Sequence, residues 1–143
     1  MKLLSTLNKK FDFELLIDPT LNYNDFQIGV IREFIRMTID ELNITSFVKI
    51  GLTADREGNG IKTTAFYRNT DKLVMVDAKD RMLGDVMRSV AHELVHHLQY
   101  FEKRVPNNVP DIGGQIEDEA NALAGVLIKL FLKNHPHGKY LFE

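Results

Sequence analysis

Apolar residues in this chain recur at intervals of three and four in its longer stretches and in short β-rich runs between them. From Asn24 to about Leu42, Phe26, Val30, Ile31, Phe34, Ile35, Ile39 and Leu42 share one face. That spacing predicts a long N-terminal amphipathic helix, with Asn22 or Asn24 as its cap. Phe47 to Leu52 is a β-rich run, and Asp55 to Gly60 is a turn-rich loop. Ile61 to Tyr67 and Leu73 to Val76 flank Arg68-Asn69-Thr70-Asp71-Lys72 and predict a hairpin. A second helix is expected from about Arg81 to Lys103, capped by Asp77 or Asp80. A loop holding Pro106, Pro110 and Gly113-Gly114 follows, and a last helix runs from about Gln115 to Leu132, before Asn134-His135-Pro136. Residues 1–21 are mixed and close at Asp18-Pro19. This order predicts an α+β fold, with a small mixed sheet and one domain spanning 1–143.

Composition narrows the partners. With 18 basic and 20 acidic residues the net charge is −2 and no dense basic run exists, so nucleic acid is not the expected partner. The chain has no cysteine, which leaves histidine and carboxylate as the side chains able to hold a metal. Met1-Lys2-Leu3-Leu4 starts like a leader, but Ser5, Thr6, Asn8, Lys9 and Lys10 interrupt the apolar run. Ala122 to Leu132 is broken by Gly125 and Lys129 and is too short to span a bilayer. The expectation is a cytoplasmic protein with no membrane partner.

Chemistry concentrates in His92-Glu93-Leu94-Val95-His96. On a helix, residues four apart share a face, so both imidazoles point at one place where a divalent metal can sit. Glu93 lies one residue round from His92, within reach of a water beside that metal. This is the HExxH zinc-peptidase pattern: two ligands and a general base. Around it, Leu83, Val86, Met87, Val90, Ala91, Leu94, Val95 and Leu98 form a broad apolar stripe beside a polar strip of Asp85, Ser89, His92, His96 and Gln99. A cleft floor has this pattern, and so does a plain solvated face.

A hydrolytic zinc site takes a third protein ligand and keeps one position open. The metzincin arrangement would put a glycine at 99 and a histidine at 102; Gln99 and Glu102 stand there instead. The alternative is an acid on the following helix, where Glu117, Asp118 and Glu119 compete. Glu117 shares a face with Ala120, Asn121 and Ala124, whose small side chains let the two helices approach. Glu119 is roughly 200° round a 3.6-residue helix and is expected to point away, as is Asp118. Asn121 is placed to hydrogen-bond a ligand histidine.

With Ala91-His92-Glu93-Leu94-Val95-His96-His97 followed by Glu117-Asp118-Glu119-Ala120-Asn121, the chain resembles the gluzincin zinc metallopeptidases, nearest to their compact kind with an E-x-x-A-N or E-x-E-A-N motif. The resemblance covers about residues 73–132; residues 1–60 match nothing nameable, which leaves the substrate open. It implies a zincin-like fold and one Zn2+ per chain held by His92, His96 and Glu117. It also implies Glu93 as base, Asn121 beside a ligand ring, and Leu73 to Val76 as the strand before the motif helix.

The expected function is a zinc-dependent peptidase acting on a protein or peptide laid along Ile61 to Tyr67. The alternatives are a catalytically silent binding or regulatory module on the same scaffold, and a metal-free helical interaction domain. Tyr67, Tyr100, Tyr140, His135 and His137 are all candidates to donate to the tetrahedral oxyanion. His97 points about 100° from His96 on a regular helix and is assigned an ordinary role.

Overall fold

A computed structural model describes residues 13–102 and 114–142. The leader-like start, the end of the expected helix at Lys103, and Pro106, Pro110 and Gly113 lie outside the described residues. Among the described residues the architecture is α+β: a mixed sheet of four strands and three α-helices.

Strand β1, Phe13–Ile17, opens the described chain. Burial alternates along it, but the outward position at Leu16 is apolar, so the sequence itself does not alternate. Such a short run gains its place by pairing in parallel with β2, Val48–Thr53, from Phe13 against Val48 to Ile17 against Leu52. Between them lies helix α1, Asp25–Leu42. The expectation of a long helix at the N-terminal end is therefore corrected: a strand comes first, and the amphipathic helix is internal. Asn24, not Asn22, caps it. Its Oδ1 accepts from the Gln27 N–H at 2.8 Å, and the Gln27 Oε1 accepts from the Asn24 N–H at 2.9 Å, a reciprocal capping box. Asn22 instead takes a left-handed φ of 59° at the end of the 3-10 turn Pro19–Leu21.

Strands β3, Ala65–Arg68, and β4, Leu73–Asp77, form the expected hairpin, although Ile61 to Thr64 stays outside the ladder. The sheet order is β1-β2-β4-β3, with β1, β2 and β4 parallel and β3 antiparallel at one edge. Val48, Ile50, Leu52, Val74 and Val76 turn into the core, where α1 contributes Phe34, packed edge-to-face on Phe131 at 5.3 Å.

Helix α2, Leu83–His96, begins two residues later than the pattern suggests, and neither Asp77 nor Asp80 caps it. Arg81 ties its start down instead, donating to the carbonyls of Asp77 and Asp85 and to the Ser89 hydroxyl. After His96 the helix widens into a π-turn, His97–Phe101. Helix α3, Gln115–Asn134, packs on α2, and its Ala120 and Ala124 are almost fully buried. Methyl side chains at this contact allow the close approach that larger residues would prevent. Among the described residues, no helix is long and apolar enough to cross a membrane.

Ala120→Leu inserts three carbons into a contact with no room. The expected outcome, read from urea unfolding, is a loss of about 1–3 kcal/mol. An unchanged unfolding midpoint would show that the two helices do not depend on this close approach.

Candidate metal centre

Helix α2 buries its apolar stripe, including Val86, Met87, Val90, Ala91, Leu94 and Val95, and this aims the neighbouring line of the helix at α3. His92 and His96 stand on that line with rings edge-to-face, centroids 4.7 Å apart. Their Nε2 atoms are 3.1 Å apart. Glu117, in the first turn of α3, brings its Oε1 to 2.8 Å from the His96 Nε2 and 3.2 Å from the His92 Nε2. These three residues lie close enough together to hold a metal ion.

The donor chemistry tests that fit. Gln99 donates through its amide nitrogen to the Ile116 carbonyl at 3.1 Å and to the Glu119 Oε1 at 2.8 Å. Its Oε1 is therefore the atom facing the His96 Nδ1 at 2.8 Å, and Nδ1 must carry the proton. In neutral His96 this leaves Nε2 as a bare lone pair pointing at a carboxylate oxygen. Lone pairs meeting at 2.8 Å repel unless a cation lies between them. Around an ion with bonds of about 2.0–2.1 Å, tetrahedral corners stand about 3.3–3.4 Å apart. The separations here, 2.8, 3.1 and 3.2 Å, fall a little inside that spacing.

Gln99 thus has the part assigned to Asn121. Asn121 is exposed, and among the described residues it makes no hydrogen bond to either ring, so that expectation is corrected. The reason lies in the π-turn, where Gln99, three residues past His96, is buried with its amide against that ring. Asp118 and Glu119 are both more exposed than Glu117, as the helix register requires. Glu119 is not idle, however: its carboxylate anchors the Gln99 amide.

Glu93 is 8% exposed, with its Oε2 4.0 Å from the His92 Nε2. Burial pushes its carboxyl up to about 7; the charge of His96 opposes the rise and that of Glu117 adds to it. It opens on a cleft of about 590 Å³ whose wall includes Thr63 to Tyr67 from the β3 edge and His92, His96, Glu117 and Asn121 from the helices. A second cavity of about 540 Å³ lies past the C-terminal ends of β1, β2 and β4, around Asp18, Asp55 and Lys79, and shares no residue with the first.

His97, assigned no special role by its position in the sequence, is fully buried behind the site. The Ser46 hydroxyl donates to Glu102 at 3.0 Å, so its oxygen accepts from the His97 Nε2 at 2.7 Å. The Tyr67 hydroxyl lies 2.8 Å from the His97 Nδ1 and donates to the Asn69 Oδ1 at 3.2 Å. These contacts tie β3 to α2 and hold the Tyr67 hydroxyl between His97 and Asn69. Burial holds His97 down to about 4, with Glu102 opposing and Lys72 reinforcing, so it is neutral at ordinary pH. Of the other oxyanion candidates, Tyr100 lies against the His96 ring at 5.6 Å. Tyr140 and His137 cluster with Phe26, and His135 stacks on Phe131, all outside the cleft.

Comparison of the chain with protein-family models, with curated proteins and with solved structures finds no match.

Two outcomes are expected. Gln99→Ala frees the His96 ring to rotate and change tautomer, and metal affinity measured by competitive chelator titration should fall about 10–100-fold. Asn121→Ala should leave it unchanged, and the reverse ranking would restore Asn121 to the ring. The second outcome concerns His97, whose pKa is depressed in the folded protein. The stability from its neutral ring is present above the unfolded value of about 6.5 and is lost as pH falls toward 4. Relative to His97→Gln, the metal-free wild type should gain stability as pH rises across that window; parallel urea midpoints would exclude a buried neutral ring.

Proposed function

We propose that this protein is a zinc-dependent peptidase. The observation that carries the reading is the convergence of three ligand atoms, on His92, His96 and Glu117, beside a buried carboxylate on an open cleft. Two imidazoles and one carboxylate without cysteine suit zinc in a site that keeps a fourth position for solvent. When bound, zinc would supply the Lewis acidity that polarises a scissile carbonyl and acidifies a water.

The chain's own residues do the rest. Glu93 takes the proton of the attacking water and passes it to the departing amine. Its carboxyl, raised toward neutrality by burial, is matched to both transfers. Gln99, anchored by Ile116 and Glu119, keeps the His96 lone pair on the metal's side. β3 has one ladder edge unpaired within the sheet and borders the cleft, so an extended protein or peptide can add to it through main-chain hydrogen bonds.

Purified protein should contain one zinc per chain by elemental analysis and cleave an unfolded protein substrate. Glu93→Gln should keep the zinc and lose about 10²–10⁴-fold in rate, the worth of a positioned general base. Full activity in that variant would refute the assignment of Glu93. Zinc binding without hydrolysis of any substrate would instead support a silent binding module.

A further inference from the structure

The cleft contains a cation with no use in the steps above. Arg88 lies one helical turn before His92, so Arg88, His92 and His96 form a line along α2. It borders the same cleft. A methyl group at Gly125 would stand 3.5 Å from the Arg88 Nη1, so the guanidinium reaches across to α3 against bare backbone. Among the described residues it makes no ion pair or hydrogen bond, although Asp85 lies three residues earlier on the same helix. The other charged groups bordering the cleft are Glu93 and Glu117, already committed as base and ligand.

The direction of β3 says which part of a substrate meets this arginine. The Asp77 N–H donates to the Thr64 carbonyl, and β4 leads on into α2, so Thr63 and Thr64 lie toward the N-terminal end of that helix. Tyr67 reaches His97 at the opposite end. β3 and α2 therefore run the same way, from Arg88 toward His97. A peptide adding to β3 in the antiparallel sense runs from Tyr67 to Thr63, and the residues after its scissile bond arrive beside Arg88.

We propose that Arg88 is a specificity-determining residue that pairs with a substrate carboxylate on the C-terminal side of the scissile bond. This inference rests on the peptidase reading for the direction of the substrate. The carboxylate is either an acidic side chain or the peptide's own terminus; a planar guanidinium pairs with both through two parallel hydrogen bonds.

The test uses the zinc-loaded Glu93→Gln protein and three fluorescein-labelled random heptapeptide pools. One is amide-ended and free of Asp and Glu, one is amide-ended with a fixed Glu, and one is acid-free with a free C-terminus. One of the two carboxylate pools should bind about tenfold more tightly than the first, and added salt should weaken that preference. The Glu pool winning assigns a side chain, and the free-terminus pool winning assigns the chain end. Adding Arg88→Gln should remove the preference, and adding Arg88→Glu should reverse it. Equal binding of all pools, or a preference that survives Arg88→Gln, overturns the proposal. Hydrolysis of the same pools by protein retaining Glu93 separates the two readings. Carboxylate binding through Arg88 without any cleavage refutes the peptidase alone, whereas cleavage with no carboxylate preference refutes Arg88 alone.

Discussion

Two imidazole nitrogens and a carboxylate oxygen are held within about 3 Å of one another, and a protein that makes such a contact must place a cation or a proton among them or hold them together by force. Here the force is the packing of α3 on α2. The small, buried side chains of Ala120 and Ala124 let α3 approach α2 closely, which fixes where its first turn meets α2. Glu117 is carried to the histidines by that contact. The strand–helix order that precedes it serves to bury the other flank of α2, so that only its polar line is left facing the cleft.

Buried hydrogen bonds then remove the freedoms that packing leaves. Both histidines of the His96-His97 pair are buried, and each meets a different polar chain. His96 gives its Nδ1 proton to Gln99, which Glu119 and Ile116 hold in turn. His97 meets the Ser46 hydroxyl through Nε2 and the Tyr67 hydroxyl through Nδ1. Low dielectric makes such chains strong when complete and costly when broken, which is why a single amide orientation is imposed. The first chain aims a lone pair into the cleft, and the second pins the cleft's other wall to the same helix. Consecutive residues on the helix point about 100° apart, so His96 and His97 enter two different networks, and Gln99, one turn on within the π-turn, faces the His96 ring.

Two arrangements in this chain are local, and both were legible as sequence. The fourfold spacing of His92 and His96, and the three- and fourfold spacing of α1 and α3, follow from helix geometry, which operates over a single turn. Glu117 was separable from Asp118 and Glu119 for the same reason, since its register with Ala120 and Ala124 is a property of one helix. The β3–β4 hairpin was readable because its partners are joined by a short turn. What had to be decided by tertiary structure is whatever depends on residues far apart in the chain. β1 has too weak an alternation to show itself and exists by parallel pairing with a strand more than thirty residues on. Asn121 is the partner expected for a ring, and only the packed structure shows that Gln99 takes that place while Asn121 is exposed. The chain of Ser46, His97, Tyr67 and Glu102 joins three separate segments, so no spacing in the sequence could announce it. Residue order determined which groups share a helix face; only the packed interior, where an unpaired polar group is expensive, determined which of them touch.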